Sequence, residues 1–277
     1  MRFQFSLRTV GITVLFMSGI LSAYLLFSRE SFRQRKILEF LSLSGASWSS
    51  NADAASKLGE LFGFDYPLDR VDSIMGSGRS DWGYVPIWNC EDSDLVVLRE
   101  FKNLRELRIG GEGISNAGFS IIGSLTEIRE LEVCGSSITD AGTSVLCQLT
   151  NIEHLDLSGN RIGNESMNIV SGLSTISSLE LSETDVTEFG IGKLTNLPKL
   201  KRLIIADLSI RDGAFREFGE LDELEYIFVN GALITDASVD DLMKIPSLKN
   251  LNIHRCNISS AAVLRLKNAL PDCNVVK

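Results

Sequence analysis

The chain has 277 residues, 44% apolar and 23% charged, ordinary values for a folded protein with a sizeable core. Its net charge of −9 is divided unevenly: residues 1–36 carry six basic side chains (Arg2, Arg8, Arg29, Arg33, Arg35, Lys36) against Glu30, a net +5, which leaves −14 for the rest. An acidic body of that kind excludes nucleic acid as the partner, because phosphate binding needs a basic face.

Residues 1–9 form a short basic N-terminus, and residues 10–27, V-G-I-T-V-L-F-M-S-G-I-L-S-A-Y-L-L-F, contain no charge. As a helix this stretch spans about 27 Å, close to the hydrocarbon thickness of a bilayer. Arg8 and Arg29 flank it. The pattern predicts a transmembrane helix and a single-pass membrane protein. The rival is a cleaved signal peptide. Ala23 stands where a cut would follow, but Leu21 is a poor small-residue partner for it and apolar sequence continues to Phe27. Counting basic residues on each side favours repeats in the cytoplasm. A short basic N-terminus before a single span equally fits an exported signal-anchor, so both sides stay open.

Residues 28–82 read as a juxtamembrane and N-terminal cap region. Ile37, Leu38, Phe40 and Leu41 give residues 28–44 a helical apolar face. Residues 45–51 are small and polar, which predicts a linker. A short helix is expected over 54–62, a break at Pro67, a first strand over 71–75 and a loop over 76–80.

Residues 83–277 are dominated by one period. Leu104, Ile128, Ile152, Ile176, Leu200, Leu224 and Leu248 recur every 24 residues and open the same phrase, clearest in I-E-H-L-D-L-S-G-N-R-I from Ile152. The fourth position reads Leu107, Leu131, Leu155, Leu179, Leu203, Ile227, Leu251, and the sixth reads Ile109, Val133, Leu157, Leu181, Ile205, Val229, Ile253. The eleventh is also apolar throughout, from Ile114 to Ile258. This is the signature of a leucine-rich repeat. A polar pair follows, such as Ser115-Asn116, Thr139-Asp140 and Thr235-Asp236, suited to capping a helix and to its dipole. Apolar residues at three-residue steps then predict a helical second half facing the core. Residues 84–103 form a degenerate opening repeat, with Leu95, Leu98 and Phe101 in the helical columns and its strand half around Val85, Ile87 and Trp88. The array closes at Leu270-Pro271, where the register is expected to gain one residue. Five cysteines, an odd number, do not make a disulfide framework and read as small core or near-core residues.

The T-D-A-G of Thr139 to Gly142 resembles the cysteine-containing class of leucine-rich repeats. F-S-L-R before the span (Phe5 to Arg8), the basic juxtamembrane stretch and the closing L-P-x-C-x-V (Leu270 to Val275) resemble bacterial membrane-anchored leucine-rich-repeat proteins. The resemblance implies an α/β fold: a right-handed solenoid with a parallel β-sheet on its concave face and helices on its convex face, used for binding. The chain departs from the pattern at the ninth position, where only Asn160 supplies asparagine.

Alternation along a strand places the third and fifth positions on the concave face. Glu130, Glu132, Asp156 and Glu180 then form an acidic ladder, with His154 beside it, and Ile204, Tyr226 and Phe228 form an apolar patch edged by Arg202. Aromatics with arginine are favoured at binding hot spots, so these nine residues are the candidate partner-binding set. The rivals are a merely solvated acidic face and a divalent-cation site. His154 among carboxylates invites acid–base chemistry, but no nucleophile column, phosphate loop or metal-spaced cluster accompanies it, so neither an enzyme nor a cofactor is expected. Asn164-Glu165-Ser166 and Asn257-Ile258-Ser259 match the glycosylation triplet, a motif common by chance. The expected function is membrane-anchored protein binding; a non-catalytic regulator of a bound enzyme and a structural envelope spacer are the alternatives.

Overall fold

A 24-residue period with paired apolar positions supplies one short strand and one short outer segment per turn, neither able to bury its apolar side alone. The computed structural model describes residues 90–277 and, before them, the backbone of four strands: β1 (Ala46–Ser50), β2 (Val71–Gly76), β3 (Arg79–Ser80) and β4 (Gly83–Tyr84). The helices expected over 10–27, 28–44 and 54–62, and the strand residues Val85, Ile87 and Trp88, lie outside the described residues. Among the described residues no helix is long and apolar enough to cross a membrane.

The repeats contribute β5 (Glu106–Gly110), β6 (Glu130–Cys134), β7 (His154–Asp156), β8 (Ser178–Glu180), β9 (Arg202–Ile204), β10 (Tyr226–Phe228), β11 (Asn250–Asn252) and β12 (Asn274–Val276). They pair in chain order, all parallel, so residues 24 apart lie side by side: Glu132↔Asp156, Asp156↔Glu180, Glu180↔Ile204, Ile204↔Phe228. The first, fourth, sixth and eleventh columns are buried throughout, from Leu104, Leu107, Ile109 and Ile114 to Leu248, Leu251, Ile253 and Ile258. The outer segments are shorter than a plain helical reading suggests. Asn116–Ile122 is the longest before the terminal Ser260–Ala269; Asp140–Thr143 and Glu188–Ile191 are single turns that tighten into 3-10 turns. Twenty-four residues leave room for little more. Phe215 and Phe218, both fully buried, meet edge to face at 5.3 Å beneath one such segment.

Expectations are corrected at the start of the array. The stretch read as a linker contains β1, which pairs antiparallel with β2. A parallel sheet leaves an open edge, and an added strand satisfies it. The strand next to β5 is β2, with Ser73 opposite Glu106, so the opening turn of the solenoid is longer than a standard repeat. The extra length lies in a connection that includes the antiparallel pair β3 and β4, of which β3 falls in the stretch over 76–80 read as loop. The expected helical columns of that opening repeat hold, since Leu95, Leu98 and Phe101 are fully buried. At the other end the outer turn gains the expected residue, with Leu270 and Cys273 buried one place beyond the repeat positions of Ala269 and Asp272, and the strand then returns to register: Asn250 faces Asn274 and Leu251 faces Val275, still 24 apart, and Val275 is buried in its column.

Two columns explain how repeats hold together without an asparagine ladder. At the ninth position Asn160 is buried, donating to the carbonyls of Val133 and Leu157 and accepting from the Ile138 amide. Elsewhere smaller groups make the turn: Thr184 donates to the Leu181 carbonyl, and Cys256 sits 3.1 Å from that of Val229.

The main lateral lock lies instead at the thirteenth position. Asp92 accepts from the amides of Ser115 and Gly118 in the next repeat. Asn116 accepts from the Thr139 amide, Asp140 from those of Gly163 and Ser166, and Asn164 from that of Thr187. Asp212 accepts from the Thr235 amide and Asp236 from that of Ser259. Each side chain thus caps the following repeat's outer segment, and a small residue two places into that segment makes room. A Cβ on Gly190 would stand 2.5 Å from Asn164 Oδ1. At Ser166 and Ser238 the small residue itself donates a hydroxyl bond, to Asp140 and Asp212 respectively. The dipole role expected for these acids is secondary to this stitching.

Candidate protein-binding face

The alternate strand positions remain open on the side of the sheet away from the outer segments. Most of the expected residues are there. Glu130, Glu132, Asp156, Glu180, Ile204, Tyr226 and Phe228 are half-buried; His154 and Arg202 are exposed. Ser178, also expected on this face, is only 8% exposed, being a small side chain paired between His154 and Arg202.

The acidic ladder does not face solvent alone. Arg108, on β5, forks between Glu130 at 3.0 Å and Glu132 at 2.9 Å. At the other end Arg202 lies 3.6 Å from Glu180 and 4.6 Å above the ring of Tyr226, where the ring's negative face holds the cation. Two guanidinium groups therefore bracket four carboxylates. The centre is left acidic: Asp156 stands directly between Glu132 and Glu180, and its carboxylate accepts from the Ser158 amide and the Cys134 thiol, with no cation in reach among the described ion pairs. Burial, reinforced by Asp156, Glu180 and Glu130, pushes the Glu132 carboxyl up to about 7 against the pull of Arg108. Burial and Asp156 push Glu180 up to about 6, with Arg202 opposing. Beside them Ile204, Tyr226 and Phe228 complete an apolar shelf on β9 and β10.

Arg108 is the residue of this face that the sequence reading left out of the set. It occupies the same fifth position as Glu132 and Asp156, and its opposite charge next to a run of acids was the available signal. His154 forms no described ion pair, and no cluster of metal ligands occurs among the described residues. The cysteines are all free. Cys90, Cys256 and Cys273 are buried as expected, with burial pushing Cys90 up to about 11, but Cys147 is exposed and Cys134 partly so. The Asn164 triplet is closed to modification, since its amide is bonded to Thr187 and Ser166 is buried.

The strand-to-turn rim carries one more regularity. The eighth position takes positive φ in every repeat: at Gly111, Gly135, Gly159 and Gly231, and also at Glu183, Asp207 and Arg255. The last three hold a conformation that costs side-chain-bearing residues about 1 kcal/mol.

Residues 85–272 match the family described as leucine-rich repeat region, and the chain belongs to that family. Among solved structures it is similar to a leucine-rich-repeat protein of Leptospira interrogans, with 18% identity, TM-score 0.55, and 76% of this chain and 49% of that one covered. It is also similar to internalin C2 of Listeria monocytogenes, with 21% identity, TM-score 0.56 and coverage of 76% and 82%. A second internalin of Listeria monocytogenes, internalin F, aligns with 18% identity, TM-score 0.52 and coverage of 76% and 62%. The chain thus spans about half the length of the Leptospira protein, and at these identities the likeness is one of fold. No curated protein sequence matches the chain. Repeats of this family stack into extended binding surfaces and commonly serve as non-catalytic protein-interaction modules.

Proposed function

We propose that this chain is a membrane-anchored protein-binding module that captures a protein partner on the open face of its sheet. The observation that carries the reading is the shelf of Ile204, Tyr226 and Phe228 with Arg202 laid over the Tyr226 ring. A surface of aromatic and arginine side chains, adjoining a polar bracket, is the composition that concentrates binding energy. The uncharged residues 10–27, flanked by arginines, support the anchor, and F-S-L-R together with the L-P-x-C-x-V closing support a place among bacterial membrane-anchored relatives. Partner identity and membrane side follow from experiment.

The test is capture by the full-length chain immobilised in its membrane context. Replacing Tyr226 and Phe228 together by alanine is expected to remove a stoichiometric partner while the thermal unfolding midpoint stays within a few degrees. Unchanged capture by the variant would remove the reading. If the captured partner is an enzyme whose rate changes on binding, the module is its regulator. Alkaline phosphatase or green fluorescent protein fused after Lys277 assigns the side of the membrane.

A further inference from the structure

The fifth positions of β6 to β10 put Glu132, Asp156, Glu180, Ile204 and Phe228 in one row, one strand apart. One half of the row is acidic and the other apolar, and the two halves ask for different groups on a ligand. Across the four carboxylates and two guanidinium groups of this face the charge does not balance. The excess is centred on Asp156, because Arg108 is already committed to Glu130 and Glu132, and Arg202 is shared between Glu180 and Tyr226. Among the described residues Asp156 makes no ion pair, while its neighbours on both sides are carboxylates. Like charges directly opposite each other are unfavourable, and a cation entering above Asp156 relieves both contacts at once.

Strand spacing converts this pattern into a ruler. Adjacent strands lie about 4.8 Å apart, so the centre of the Ile204–Phe228 shelf is about 12 Å from Asp156. An extended chain crossing the strands advances about 3.3 Å per residue and alternates its side chains between two faces, so a separation of four residues covers that distance with both side chains towards the sheet. We propose that the open face takes an extended segment of a protein partner in which a lysine or arginine is separated by four positions from an aromatic or large aliphatic side chain, the cation seated over Asp156 and the apolar group over Ile204 and Phe228. This rests on the open-face reading and adds to it the chemistry, spacing and direction of the partner.

The test uses the full-length chain and arrays of glycine–serine peptides in which a lysine and a phenylalanine are set two to eight positions apart, with matched sets carrying Glu for Lys or Ser for Phe. Capture is expected to peak at a separation of four and to fall at least tenfold in both matched sets. Asp156→Lys, with its fold checked by circular dichroism, is expected to invert the preference towards the Glu peptides. Equal capture of Lys and Glu peptides, no dependence on spacing, or an unchanged preference in Asp156→Lys would overturn the inference. If peptides are captured through Phe alone, lost in the Tyr226 and Phe228 double variant but indifferent to charge, the pairing falls and the open-face reading stands. Absence of capture by the wild-type chain of any peptide overturns the pairing as well, and the partner-capture experiment then judges the open face separately.

Discussion

Asp140, Asp212 and Asp236 sit where the chain turns from strand to outer segment; Glu132, Asp156 and Glu180 sit one strand apart on the open face. The side-chain chemistry is the same and the spacing along the sequence is close to the same period, yet the surroundings are opposed. Each turn aspartate is met by amides and hydroxyls of the next repeat. Burial works against ionisation of Asp140 and Asp212, but the Ser166 and Ser238 hydroxyls and the neighbouring amides outweigh it and hold both below the ordinary aspartate range. On the open face, burial and carboxylate neighbours act together and hold Glu132 and Glu180 above theirs. A repeat protein multiplies whatever stands in a column. A donor-matched column becomes a seam that holds the stack, whereas an unmatched one accumulates charge, which is tolerable where a ligand supplies the match.

Removing a donor-matched acid should have the largest effect. Asp212→Ala abandons the Thr235 amide and hydroxyl and the Ser238 hydroxyl, at about 2–3 kcal/mol on the scale of charge-assisted bonds and caps. Urea denaturation of the full-length chain measures it. Asp212→Asn should lose less, since Asn116 and Asn164 already serve the same column as neutral amides. An equal loss in the two variants would mean that charge rather than geometry carries the seam.

Neutralising a crowded acid of the open-face row should have the opposite sign. Glu132 has a folded value near 7 against an ordinary 4.5, so between those values the folded state holds more protons than the unfolded. Stability therefore falls as pH rises through that window. Glu132→Gln is expected to stabilise by about 1 kcal/mol at pH 7.5, and the gain should vanish near pH 4.5. For Asp140 and Asp212 the sign reverses: their contribution is present above the ordinary aspartate value of 3.8 and is lost as pH falls through their lowered values. The two sets of groups thus pull stability in opposite directions with pH. Wild-type and Glu132→Gln melts that stayed parallel between pH 4.5 and 8 would break the contrast.

The smallest effect concerns the rim. Glu183 is exposed and held at φ 56° where the preceding repeat uses Gly159. Glu183→Gly should stabilise by about 0.5 kcal/mol, the left-handed penalty less the glycine entropy cost. A loss would show that the side chain has a partner that offsets its strain.

What the sequence made legible was the part governed by periodicity. The buried columns at Leu104, Leu107, Ile109 and Ile114 and their copies, the parallel register and the open-face row all follow from a 24-residue spacing combined with strand alternation. The seam was not legible, because Asp140 and Ser166 are 26 residues apart and neither looks unusual within its own repeat. Only the docked neighbour shows that one reaches the other. The ends resisted for a related reason: β1 and β2 answer the need to finish a sheet edge, a constraint outside the repeat. At the site, position identified the carboxylates and aromatics, but whether Arg108 and Arg202 neutralise the ladder depends on how far long side chains reach, which spacing alone does not specify.

The contrast is tested most directly by a carboxyl-carbon NMR titration of the full-length chain that resolves Glu132, Glu180, Asp140 and Asp212 in one sample. Midpoints of about 7 for Glu132 and about 6 for Glu180 are expected, with both aspartates titrating below 3.8. Four midpoints within the ordinary carboxylate range would contradict it, and would mean that neither burial nor carboxylate neighbours strain the acids of the open face.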